Sequence, residues 1–131
     1  MVSEGGHVAG HGRALPLLRL PRPVWLALGL GSGAVAVLAA GPLILVLWLA
    51  PDLALLAGGL HSFDSTGRLH PRAIRAYNAA HVLAGPGVLA LLAVAFAPGL
   101  LALAAIWLSH IAIDRALGYY PRDAGGRSRS G

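Results

Sequence analysis

The chain reads as an all-α, polytopic membrane protein, four transmembrane helices in a small bundle, and three observations predict it. Of 131 residues, 56% are hydrophobic and only 11% charged, where a soluble domain carries about 25% charged residues. Nearly everything from Val24 to Leu117 is apolar. Turn signals at Gly41-Pro42 and at Phe96–Gly99, with a polar loop at His61–Arg75, cut that stretch into four runs near the ~20 residues that a span needs.

Residues 1–22 form an N-terminal cytoplasmic tail, glycine- and histidine-containing and then basic, and Pro21 and Pro23 stop helix formation before the membrane. His7 and His11 there are solvated. The membrane domain is residues 23–120. Its first helix is Val24–Ala40 and its second Leu43–Leu60, in which Pro51-Asp52 predicts a kink. The third is Ala73–Phe96, with a kink expected at Gly85-Pro86-Gly87. The fourth is Pro98–Leu117, terminated by Gly118 and Pro121. Residues 121–131 form a C-terminal cytoplasmic tail, read as polar and mobile.

All ten basic residues are arginines, and nine of them lie in the N-terminal tail, the His61–Arg75 loop and the C-terminal tail. Four crossings put those three segments on one side. The opposite connections have no arginine. The positive-inside rule then makes the basic side cytoplasmic, with the protein in the inner or plasma membrane and both termini inside. A three-helix arrangement would put the arginine-rich loop outside. The basicity is read as topology and contact with anionic headgroups of the lipid bilayer. Nucleic acid is excluded as a partner, since no stacking or groove-reading module is present. With no cysteine, disulfides, thiolate ligands, Fe–S clusters and cysteine nucleophiles are excluded. The Ala, Leu, Gly and Arg bias without lysine points to a GC-rich bacterial genome. Gly29 and Gly33 form a Gly-x-x-x-Gly match, a candidate close-packing face for a homo-oligomer.

An ionisable side chain at membrane depth costs about 2.5–3.5 kcal/mol for aspartate at a helix centre, so each needs an explanation. At about 1.5 Å rise per residue, Asp52, His81 and His110 all fall roughly 12 Å below the cytoplasmic surface. Asp114 lies one turn shallower than His110, and Tyr77 one turn shallower than His81. His110 and Asp114 share a helix face, as do Tyr77, Asn78 and His81. The polar cluster Asp52, Tyr77, Asn78, His81, His110, Asp114 and Arg115 therefore predicts a partly hydrated pocket open to the cytoplasm.

Two readings of that pocket stand side by side. Asp52, His81, His110 and Asp114 are a ligand set suited to a divalent ion such as zinc or manganese. Such an ion would polarise an ester or phosphoryl oxygen, making a metal-dependent hydrolase of a lipid-like or amphiphilic substrate, with Tyr77 or Asn78 orienting it. The other reading is structural: Asp52 or Asp114 pairs with Arg115, His81 and Asn78 bond across helices, and the layer locks the bundle. Residue types alone leave the enzyme question open.

Pro51-Asp52, then Tyr77-Asn78-x-x-His81 with Pro86, then Trp107-x-x-His110-Ile111-x-x-Asp114-Arg115-x-Leu117-Gly118-Tyr119 resembles the bacterial membrane family catalogued as domain of unknown function 4260. The resemblance covers about Leu43 to Tyr120 and implies a small four-helix membrane protein; it implies no activity. The family continues past Gly-Tyr with Gly-Leu-Lys and a later Thr-His-Leu-Gly segment. Here Tyr120-Pro121-Arg122 follows instead, so a site that used the family's downstream histidine would be incomplete.

Overall fold

A computed structural model describes residues 20–59 and 62–128, and the described residues are helical, with no strand beyond two isolated bridges. Helix α1 is Arg22–Ala40, with Pro23 in its first turn, where a missing N–H costs nothing. It ends at Gly41, whose φ of 80° suits only glycine. A 3₁₀ helix, Pro42–Gly58, follows without interruption at Pro51, where a kink was expected. Helix α2 is Pro71–Ala80, α3 is Ala84–Phe96, and a 3₁₀ turn at Pro98–Leu100 leads into α4, Leu101–Leu117.

Three stretches are long and apolar enough to cross a membrane: Arg22–Ala40, Pro71–Phe96 and Pro98–Leu117; Pro42–Gly58 is a shorter apolar helix. The exterior is compatible with lipid. Leu38 and Phe96 are 87% and 82% exposed, while His81, His110 and Arg115 are buried. This inverts the distribution of a soluble protein, in which charged residues are almost never fully buried.

The third expected helix breaks one turn earlier than Gly85. The interruption is His81–Leu83, between α2 and α3. Pro86 causes it, because its ring collides with the carbonyl four residues back, at Val82, and its nitrogen donates no bond. Gly85 itself serves packing: a Cβ there would lie 2.5 Å from Cη2 of Trp107.

Helix α1 lies along α4. Gly29 and Gly33 face it, since a Cβ at Gly29 would fall 2.8 Å from Cδ1 of Ile113 and one at Gly33 2.8 Å from Oγ of Ser109. Ser109 uses the close approach to donate to the Gly29 carbonyl at 2.8 Å. The Gly-x-x-x-Gly match thus packs helices within the chain. Ala36, Ile44, Ala102 and Ile106 form one core cluster joining α1, the 3₁₀ helix and α4. A second cluster, Leu69, Ala73 and Tyr77, seats α2 against Leu55.

The C-terminal segment, read from sequence as mobile, is pinned as far as Ser128. Gly118, with φ 92°, closes α4 in a Schellman turn: its N–H reaches the Arg115 carbonyl at 3.1 Å and that of Tyr119 the Asp114 carbonyl at 2.8 Å. Beyond it, Asp123-x-x-Gly126-Arg127 repeats the turn Asp64-x-x-Gly67-Arg68. In each, the aspartate Oδ1 accepts the amides two and four residues on, and the glycine has positive φ. Leu69 N–H donates to the Gly126 carbonyl at 2.9 Å and joins the two turns.

Candidate metal centre

His81 is the residue at which α2 stops. Its N–H closes the helix on the carbonyls of Tyr77 and Asn78, and its ring Nδ1 lies 2.8 Å from the Tyr77 carbonyl. A carbonyl only accepts, so Nδ1 carries the proton and Nε2 presents a lone pair. The Tyr77 ring stacks on the imidazole, with centroids 3.9 Å apart and planes at 18°. Arg115 donates from Nη2 to the His81 carbonyl at 3.0 Å and from Nη1 to the Tyr119 carbonyl at 3.1 Å. The backbone and ring of His81 are thereby both fixed.

Opposite it, His110 projects from α4, one turn before Asp114, with Trp48 of the 3₁₀ helix edge-on to its ring at 4.8 Å. The two Nε2 atoms are 3.1 Å apart. Asp52 Oδ1 stands 3.5 Å from each of them. Asp114 Oδ2 stands 3.4 Å from His81 Nε2 and 3.7 Å from His110 Nε2. Of the four residues expected in one layer, Asp52 and Asp114 thus each lie within 3.7 Å of both histidine Nε2 atoms. Both histidines are buried, while the Asp52 side chain is 40% exposed, so the group opens to one side.

The other expected members are placed differently. Asn78 does not reach the histidines. Its amide clamps the backbone of Arg122, donating to its carbonyl at 2.8 Å and accepting its N–H at 2.7 Å. Arg115 bonds carbonyls rather than carboxylates. Among the described residues every ion pair joins Asp52 or Asp114 to a histidine, which removes the aspartate–Arg115 lock. Tyr77 contributes its ring face and its carbonyl. His70 caps α2, its Nδ1 accepting the Arg72 N–H at 3.3 Å; His61 lies outside the described residues.

Sequence reasoning missed Trp48 as a neighbour of His110, and Arg122. The guanidinium carbon of Arg122 lies 5.4 Å from the ring centre of Phe63 and 5.6 Å from that of Tyr77. The repeated Asp-x-x-Gly-Arg pattern was the available signal that the C-terminal segment folds back on the loop.

As a donor set, Asp52, His81 and His110 each offer one ligand atom within 4.8 Å of the others. Zinc at about 2.0–2.2 Å from tetrahedral N and O ligands sets those ligands about 3.3–3.5 Å apart. The edges of 3.1, 3.5 and 3.5 Å come within about 0.2 Å of one face of that tetrahedron. The bond from His81 Nδ1 to a carbonyl is the usual outer partner of a metal-bound imidazole.

No curated protein and no solved structure matches the chain. A family model does match, over residues 24–123, and the stretch takes in all four converging side chains. The chain therefore belongs to the family described as Domain of unknown function (DUF4260).

Proposed function

We propose that this is a four-span membrane protein whose Asp52, His81 and His110 hold one divalent ion of zinc type, and that it hydrolyses an ester or phosphoester of an amphiphile. The observation that carries the reading is the triangle of ligand atoms with edges of 3.1, 3.5 and 3.5 Å, drawn from three separate hydrophobic segments.

The length of the second segment supports four crossings. A 3₁₀ helix rises about 2.0 Å per residue. The 17 residues of Pro42–Gly58 therefore extend about 34 Å, enough for a hydrocarbon core of about 30 Å. The arginine-bearing ends and loop then share the cytoplasmic side.

Three protein ligands leave a fourth position open, the arrangement of catalytic rather than structural zinc. A bound ion supplies Lewis acidity and makes nearby water more acidic. Asp114, beside both histidines, is the base. It takes a proton as the water oxygen bonds to the ester carbon or phosphorus. That proton passes to the departing alkoxide as its bond breaks, so water is consumed and an acid and an alcohol are released. An apolar cavity of about 320 Å³, lined by Leu47, Pro51, Ala80, Leu89, Ile106 and Trp107, flanks Asp52 and His81 along the chain and suits a hydrocarbon tail.

The test is metal content of the purified, detergent-solubilised protein. One ion per chain is expected for the wild type and for Asp114→Asn, and none for His81→Ala or His110→Ala. A wild type that retains no ion after equilibration with zinc, or a His110→Ala variant that retains it fully, refutes the centre.

A further inference from the structure

We propose that Arg122 gives this centre a binding site for a phosphate-type oxyanion, so that the substrate class is a phosphoester rather than a neutral ester. The inference rests on the metal-centre reading for its chemistry, but its own observations are separate. Arg122 is only 7% exposed. Its Nε is buried with no hydrogen-bond partner. No carboxylate among the described residues lies within 4.0 Å of its guanidinium, because Asp52 and Asp114 are spent on the histidines.

A buried guanidinium with an unpaired donor and no counter-charge is costly unless something completes it. Arg122 lies instead against the aromatic rings of Phe63 and Tyr77. These hold a cation without neutralising it.

Its position is built, too. Asn78 grips the Arg122 backbone through both amide atoms. Tyr77, which Arg122 overlies, is stacked on His81. The Arg122 guanidinium, with its Nε unpartnered, therefore stands one aromatic ring away from a proposed metal ligand. A planar fork of donors matches the paired oxygens of a phosphoryl group. A phosphoryl group held by Arg122 would then lie beside Tyr77 and His81, next to the residues proposed to hold the ion. The phosphate could belong to a lipid headgroup or be free in solution, and binding measurements separate the two.

The experiment uses the full chain in detergent and in nanodiscs. Inorganic phosphate is titrated against the first, and phosphatidylcholine vesicles containing phosphatidic acid are the probe for the second. Each is run for wild type, Arg122→Gln and Arg122→Lys, with metal content measured alongside. Wild type is expected to bind at least one probe. Arg122→Gln should bind it at least about tenfold more weakly, the loss expected for a charged hydrogen bond, while keeping the wild-type metal content. Arg122→Lys, with the charge but not the fork, should fall between. Saturation by inorganic phosphate identifies a free anion, and binding only to the acidic vesicles identifies a lipid phosphate. Equal affinity of wild type and Arg122→Gln, or no binding of either probe, overturns the proposal. A wild type without metal that still loses anion binding on Arg122→Gln would sink the metal centre and leave the anion site standing.

Discussion

His81 and His110 face each other Nε2 to Nε2 across 3.1 Å, and only one of the two can be the donor. The Tyr77 carbonyl decides which. Because it takes the Nδ1 proton of His81, the Nε2 of that ring is an acceptor. In the metal-free protein with neutral rings, His110 must therefore donate from Nε2, and its buried, unpartnered Nδ1 carries no proton. Metal binding needs the Nε2 lone pair of both rings. His110 is expected to move its proton to Nδ1 on adding zinc, and His81 to keep its tautomer. Nitrogen-15 NMR of labelled histidine reads this directly. A change of tautomer at His81, or none at His110, contradicts the assignment.

Arg115 acts on the centre through the backbone of His81. Arg115→Ala removes the charged donor to that carbonyl and leaves it buried and unsatisfied, a loss of about 1.5–3 kcal/mol. Loss of an outer-shell partner typically weakens a metal site by about 10–100-fold. Zinc affinity measured by competition with a chelator is expected to drop within that range while the helical circular dichroism is retained. Unchanged affinity would show that the break after α2 holds His81 without help.

The two bonds from Asn78 to Arg122 tie the C-terminal segment to α2. Asn78→Ala removes both, and at about 0.5–1.5 kcal/mol for each neutral bond the cost is about 1–3 kcal/mol. The segment from Pro121 to Ser128 should then become sensitive to limited proteolysis while α4 remains protected. Cleavage rates equal to wild type would mean that the bond between Leu69 and Gly126 suffices on its own.

Asp64 offers a local acid response. The Thr66 hydroxyl, then the Arg68 amide, donate to its carboxylate and hold it below the ordinary 3.8. A carboxyl whose folded pKa is depressed stabilises the turn above its unfolded value and loses that contribution as pH falls through the folded one. Amide protection at Thr66 and Arg68 is expected to fall as pH drops from about 5 to about 2. Asp64→Asn should flatten that dependence. The group is fully exposed, so the change should be confined to the turn.

Much of the architecture was legible because lipid leaves few ways to satisfy a backbone. Gly41 and Gly118, both at positive φ, stand where glycine next to an apolar run announced a stop. The meeting of Asp52, His81, His110 and Asp114 was legible from depth and helix face alone. What failed is instructive. The third segment breaks at His81 rather than at Gly85, because a proline disrupts the turn before it. Asn78 shares a face with His81, yet its amide found a backbone partner in Arg122, a contact spanning 44 residues that no local pattern announces. Arg115 was matched to a carboxylate on charge alone, whereas two carbonyls freed by helix ends were nearer. Arg122 was hidden for the same reason: its role depends on a turn that folds back.

Synthesis runs from the N-terminus, and the contributions of Asp52, His81 and then His110 emerge in that order. No pair of hydrophobic segments contains all three. A ribosome-bound chain halted before residue 110 has no triangle, and its acid at position 52 has one imidazole rather than two for company. On the proposed metal reading, the ion's three ligands come together only after the segment carrying His110 has been made.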